Sequence, residues 1–233
     1  MRCATSRIVE MALDPDKSVA DYRTLVSHYD HATRRINGIR RKAIAALNLR
    51  PGETVLDVGC GSGFCFAPVM DAIGADGHII AFDHSTDLLS VARGRVAEAR
   101  WANVSIVEAR ADTLNFHDAI ARRGIALPSA LLFSYVHDVL QSEAALENLL
   151  SQVAPDARVS ISGTRLWPRS WWPLCVLVNR YLYRTHERYI TNREENFHQP
   201  WVKLARQLED FHVRAYWPGW RYVATGCVRL ERK

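Results

Sequence analysis

The sequence predicts an α/β fold in which a mostly parallel sheet carries helices on both faces and ends in an antiparallel hairpin. Three observations predict it. Short apolar runs alternate along the chain with segments whose apolar residues recur at helical spacing, the rhythm that builds a parallel sheet. The first run, Val55 to Val58, delivers the chain into glycines at alternate positions, and the second, Ile79 to Phe82, ends on Asp83. Near the C-terminus the pattern changes. Phe211 to Trp217 and Tyr222 to Leu230 are β-branched and aromatic runs separated by Pro218-Gly219-Trp220-Arg221, which reads as a closing hairpin.

Residues 1–20 are expected to be weakly ordered, and helices are expected from Val19 to Asn48. Within them Ile36, Ile39, Ala43, Ile44 and Leu47 form one face, and most of the cations Arg34, Arg35, Arg40, Arg41 and Lys42 the other. Leu49-Arg50-Pro51-Gly52 turns the chain into the first strand. A helix follows over Phe64 to Ile73, with Pro68 tolerated in its first turn and Gly74 as its stop. Gly77 to Asp83 is the second strand. Ser85 caps a helix that turns Leu88, Leu89, Ala92 and Val96 to one side. Val104 to Val107 and Ala130 to Ser134 are the third and fourth strands. Ser142 opens a helix with Leu146, Leu149, Leu150 and Val153 inward, and Arg158 to Gly163 is the fifth strand. With the hairpin, the expected sheet has seven strands.

The glycine loop narrows the ligand. Alternate glycines let the backbone turn tightly and approach a bound group with no Cβ in the way. In open α/β sheets ligands sit beyond the carboxyl ends of the strands, where an acid at the tip of the second strand accepts the hydroxyls of a ribose. The dinucleotide pattern G-x-G-x-x-G would place a third glycine at position 64, which is Phe64. The pattern present is Gly59-x-Gly61-x-Gly63, preceded two residues earlier by Asp57. An acid there opposes a pyrophosphate and suits a ligand carrying an ammonium.

The chain of 233 residues fits one α/β domain, and 48% hydrophobic content is ample for a single core. Its five cysteines include no C-x-x-C pair, so neither a disulfide framework nor a metal site is expected. No apolar leader-like stretch opens the chain, and the longest apolar run, Trp171 to Val178, contains Pro173 and is far too short to span a bilayer. A cytoplasmic location is therefore expected. The net charge of +5 is concentrated in the basic helix face. That face is a solvated surface or a contact for an anionic membrane surface or substrate. No RNA-binding module accompanies it, which argues against nucleic acid as a partner.

Leu56-Asp57-Val58-Gly59-Cys60-Gly61-Ser62-Gly63, with Asp83 at the end of the following strand, resembles the first motif of the class I S-adenosylmethionine-dependent methyltransferases. The resemblance covers roughly residues 29–160 and implies a Rossmann-like methyltransferase fold with S-adenosyl-L-methionine as cofactor. It implies that Asp57, Gly59, Cys60 (by its backbone), Gly61 and Gly63 face the methionine portion and that Asp83 holds the ribose. His84 packs on the adenine or points to solvent, and Ser85 and Ser134 complete the expected cofactor set. In family members an acid and an alanine often follow the third strand, then a Leu-Pro-Phe-like triplet. Leu114-Asn115-Phe116 resembles that triplet, which places Arg110 where the acid usually falls. Asp112, with the Ala111 backbone, then meets the adenine or caps the next helix.

Methyl transfer is an in-line displacement that chiefly needs positioning, and a base only where the acceptor must lose a proton early. His137, just past the fourth strand in Ser134-Tyr135-Val136-His137-Asp138, is a candidate base or a structural histidine. Tyr29, in a Tyr-Asp pair resembling that of the quinone-biosynthesis and bacterial phospholipid N-methyltransferases, is a second catalytic candidate that closes over the cofactor carboxylate or packs in the core. The expected organisation is one domain over 1–233, with N-terminal helices over 15–48 and an aromatic-rich insertion at 165–205 as acceptor lid. That insertion is an aromatic wall for an apolar acceptor, an interfacial membrane patch, or ordinary packing with a homodimer contact. The expected activity is methyl transfer to N, O or C of a small apolar or lipid-like acceptor. The alternatives are aminocarboxypropyl transfer from the same cofactor and a non-catalytic cofactor-binding partner module.

Overall fold

The basic segment folds as α1 (Asn37–Ala46) and lays Ile39, Ala43 and Ile44 on one face of the sheet. The computed structural model describes residues 36–166, 176–181, 195–217 and 219–229. The helices expected before residue 36, and most of the aromatic insertion, lie outside the described residues.

Elements then follow in the expected order. β1 (Thr54–Val58) leads to α2 (Phe66–Ile73), and β2 (His78–Asp83) to α3 (Thr86–Ala99). β3 (Val104–Glu108) precedes the short α4 (His117–Ala121), and β4 (Ala130–Ser134) runs into α5 (His137–Gln141) and α6 (Glu143–Leu150). After β5 (Arg158–Thr164) come α7 (176–181), α8 (Glu195–His198) and α9 (Val202–Ala205). The hairpin is β6 (Leu208–Tyr216) and β7 (Arg221–Val228). Four of these helices, α4, α5, α8 and α9, have five residues or fewer, too short to leave a helical period in the sequence. β6 starts three residues before the expected Phe211, because a register shift between Glu209 and His212 extends the pairing past an irregularity.

The sheet order is β3-β2-β1-β4-β5-β7-β6, parallel through β5 and antiparallel at β7 and β6. The chain builds outward from β1 to β3, then returns to lay β4 on the other side of β1. That reversal opens a crevice at the carboxyl ends of β1, β2 and β4, the position where such sheets bind ligands. All of β1 is buried, as a central parallel strand requires.

Strand periodicity sorts the core onto two faces. Leu56, Val58, Phe82 and Phe133 pack with Leu114, Leu140, Leu146 and Leu149. Val55, Ile79, Ala81 and Leu132 pack with α1, α2 and α3 through Ala43, Phe66, Ile73 and Leu89. Asp57 shares the face of Val55, so it projects toward the side that α1 covers. No helix among the described residues is long and apolar enough to cross a membrane.

Candidate functional site

The loop leaving β1 turns through the left-handed region three times, with φ of 60° at Gly59, 55° at Gly61 and 79° at Gly63. At two of these positions space as well as φ demands glycine. A Cβ on Gly59 would lie 2.5 Å from Val136 Cγ1, and one on Gly63 would lie 2.6 Å from the Phe66 ring. The loop is tied to β2 by Cys60 N–H, which donates to Phe82 O at 2.9 Å, and by Gly61 N–H, which donates to Asp83 Oδ2 at 2.9 Å. Asp83 Oδ1 accepts from Ser85 N–H, also at 2.9 Å, while the Ser85 hydroxyl caps α3 by accepting from Leu88 N–H. Both carboxylate oxygens are thus fixed in place, and each retains acceptor capacity for a further donor. Burial raises the Asp83 pKa, opposed by the two backbone N–H groups and by His84, whose Nδ1 lies 3.7 Å from Oδ1.

Asp57 is 2% exposed, and its Oδ2 has no hydrogen-bond partner. Burial pushes its pKa up to about 7; the Arg40 charge pulls it down and the Asp83 charge pushes it up. A desolvated carboxyl without a partner is costly, so this atom points to a donor that a ligand supplies. Arg40 departs from the solvated basic face to which its neighbours belong. It is 6% exposed, with Nη1 3.3 Å from Asn37 Oδ1 and its guanidinium carbon 5.1 Å from the Phe64 ring centroid and 5.8 Å from that of Tyr135. Cys60 and Cys65 are buried beside it, and burial raises both thiols above the ordinary range, which keeps them protonated.

The far wall starts one residue past the Val58–Phe133 pairing. Ser134 Oγ accepts from Ser162 Oγ at 3.3 Å. Tyr135 takes φ of 62°, a left-handed corner that non-glycine residues rarely adopt, and its N–H donates to Ser162 O at 2.9 Å. The corner turns Val136 onto Gly59 and starts α5 at His137. His137 is buried, its Nε2 2.8 Å from Thr164 O and its ring stacked on Phe197 at 5.4 Å between centroids. A carbonyl only accepts, so Nε2 carries the hydrogen and Nδ1 is the basic nitrogen. Behind it Tyr222 is fully buried with its hydroxyl unpartnered, and Trp201 meets its ring edge-on at 4.5 Å.

The loop after β3 forms the third side. Ala109 N–H donates to Asp83 O at 3.0 Å, joining this loop to the acid of β2. Asn148 Nδ2 donates to the carbonyls of Ala111 and Leu114, each at 2.9 Å, and Gln152 bridges Leu114 O and Phe116 N–H. Asp112 is gripped by Arg110 through Nε at 3.1 Å and Nη2 at 3.0 Å. This bidentate hydrogen bonding holds the Asp112 carboxyl below its usual range.

Comparisons with known proteins agree with this arrangement. Residues 55–156 match the model of the methyltransferase domain family. The chain carries a class I methyltransferase domain. Over 79 residues it is 33% identical to the demethylmenaquinone methyltransferase of Shouchella clausii, an overlap of 34% of each protein. Over 64 residues it is 47% identical to the arsenite methyltransferase of Halobacterium salinarum, covering 27% of this chain and 16% of that one. The matched region thus spans about a third or less of these curated relatives. A SAM dependent methyltransferase from Aquifex aeolicus has the same fold, with a TM-score of 0.56 at 16% identity over 82% of this chain and 89% of that one.

Within the methyltransferase domain the structure gathers Asp57, Gly59, Cys60, Gly61, Gly63, Asp83 and Ser85 around one loop, with His84 at its rim. Ser134 faces them from β4, and Ala111 and Asp112 approach along the loop after β3. His137 sits behind this wall, bonded to the end of β5, and Tyr29 lies outside the described residues. Sequence reasoning missed Arg40, Phe64, Tyr135 and Val136. For Arg40 a signal existed: it lies four residues after Ile36 and four before Ile44, on the apolar stripe itself.

Proposed function

We propose that this protein is an S-adenosylmethionine-dependent methyltransferase that moves a methyl group to N, O or C of a small apolar or lipid-like acceptor. The observation that carries the reading is the pair of buried acids at the ends of adjacent strands, joined by a glycine loop: Asp57 with an unpartnered oxygen, and Asp83 with both oxygens aimed by backbone N–H groups. Asp57 receives an ammonium, Asp83 the two ribose hydroxyls, and the Gly59–Gly63 backbone lets the chain of the ligand pass at close range. Asp112 and the Ala111 backbone meet the adenine on the loop that Asn148 and Gln152 hold. S-adenosylmethionine supplies an electrophilic methyl on a sulfonium.

On the acceptor side, the described part of the insertion supports an apolar partner. Leu166, Phe197 and Trp201 are buried next to β5 and β7, and the Arg165 guanidinium carbon lies 5.9 Å from the Trp201 ring centroid. We read the insertion as the acceptor lid and His137 as the group that accepts a proton, through Nδ1, where the acceptor requires it. Incubating the protein and methyl-labelled cofactor with metabolite and lipid extracts, followed by mass spectrometry of labelled products, tests the reading. A labelled apolar product one methyl heavier supports it. Failure of S-adenosylhomocysteine to bind in calorimetry overturns it.

A further inference from the structure

Resting on that reading, we propose that Arg40 is the specificity-determining cation of the site: with Asp57 it forms a two-charge reader for a zwitterionic amino-acid end, Arg40 taking the carboxylate and Asp57 the ammonium.

Four observations carry this. Arginine is almost never buried this deeply without a charged or planar partner, yet Arg40 is 6% exposed. Its position is set by α1 on one side, through Asn37 Oδ1 at 3.3 Å, and by rings on the other, through Phe64 of the glycine loop and Tyr135 of the β4 corner. Both rings belong to segments that line the crevice. The cation is therefore built into the site rather than draped over it. The Phe64 ring also carries a second guanidinium, that of Arg95, whose carbon lies 4.2 Å from its centroid. The rim over the loop is thus cationic where the floor, at Asp57, is anionic.

The third observation is that Arg40 reaches Asp57 by field rather than by contact through Oδ2. Its charge acts on the Asp57 carboxyl, yet Oδ2 has no hydrogen-bond partner. A structural ion pair would close that distance, because a buried charge left short of its partner keeps most of its desolvation cost. Two opposite charges held apart in a dry site are instead complementary to a ligand carrying the same two charges in reverse order. The fourth is chemical: a planar guanidinium braced by rings on its faces keeps its N–H edge for a planar acid, which it binds in fork geometry. An amino-acid end presents that acid and an ammonium on one carbon.

The test compares three ligands that share the nucleoside and the sulfur. S-adenosylhomocysteine has both charges, its decarboxylated amine has the ammonium alone, and 5′-methylthioadenosine has neither. Calorimetry on the wild-type protein should show S-adenosylhomocysteine binding about 10- to 100-fold more tightly than the amine. In Arg40→Gln that preference should collapse to within about threefold, through loss of S-adenosylhomocysteine affinity while the amine is retained. Arg40→Lys, which keeps the charge but not the fork, should lose a smaller part of the preference, and it serves alone where the glutamine variant does not fold. Equal weakening of both ligands in either variant, or no weakening, overturns the assignment. If methylthioadenosine binds but S-adenosylhomocysteine binds no more tightly, the charge reader falls and the nucleoside site stands. If none of the three binds, both readings fall.

Discussion

Replacing Asp57 with Asn should make the unliganded protein more stable and the liganded one weaker. Burial raises the Asp57 pKa from 3.8 to about 7, so between these values the folded protein holds a proton that the unfolded chain has released. Folding stability from this group therefore falls as pH rises through that window, and above pH 7 the full cost of about 4 kcal/mol is in force. Asparagine carries no charge to desolvate. The variant's stability relative to wild type should thus grow by about 2–3 kcal/mol between pH 5 and pH 8, which for a chain of this size is about 5–10 °C in Tm. The difference between the two proteins cancels every other titrating group, so thermal unfolding of both across that pH range isolates Asp57. The same scan with saturating S-adenosylhomocysteine should reverse the order at pH 8, because losing a charge-assisted bond to the ammonium costs about 10- to 100-fold in affinity. A variant-minus-wild-type difference that stays flat with pH would refute the reasoning about burial. Undiminished ligand affinity in the variant would refute the role of the carboxylate.

Three other perturbations follow from the geometry. Asp83→Ala leaves the N–H groups of Gly61 and Ser85 without their acceptor and should cost about 2–5 kcal/mol in urea unfolding as well as ligand affinity, whereas Asp83→Asn, which keeps one acceptor oxygen, should cost less stability. Gly59→Ala combines a left-handed φ with a 2.5 Å approach to Val136 and should destabilise by at least about 1–2 kcal/mol; adding Val136→Ala should restore the steric part, visible as a positive coupling in a double-mutant cycle. Tyr222→Phe removes a buried hydroxyl that has no partner, so its denaturation midpoint should be unchanged or raised, and a loss above about 1 kcal/mol would mean that the hydroxyl is bonded.

Much of this was legible in the sequence because central parallel strands announce themselves. Val55 to Val58 and Ala130 to Ser134 are apolar throughout, since both faces of such strands are covered, and the glycines and acids that follow them stand out against that background. Arg40 was misread because charge is a stronger cue than periodicity: five cations close together suggest a wet face, and only the opposing wall of Asp57, Phe64 and Tyr135, distant in the chain, makes one of them dry. His137 was placed near the fourth strand correctly, but the five-residue helix it starts and its bond to Thr164 depend on β5, which pairs with β4 across 24 to 28 residues of sequence. The pairing of Arg110 with Asp112 likewise depends on a loop path that Asn148 and Gln152 set from α6.

The bond from Gly61 N–H into Asp83 has a kinetic consequence. The same carboxylate that is to receive the sugar already clasps the loop that is to flank it, so the receiving surface is assembled during folding and not at the moment of encounter. Entropy that an unlatched loop would surrender on each association event is spent once per protein lifetime. Ligand capture should therefore proceed with a small heat-capacity change and a rate set by diffusion and orientation, without a slow ordering phase.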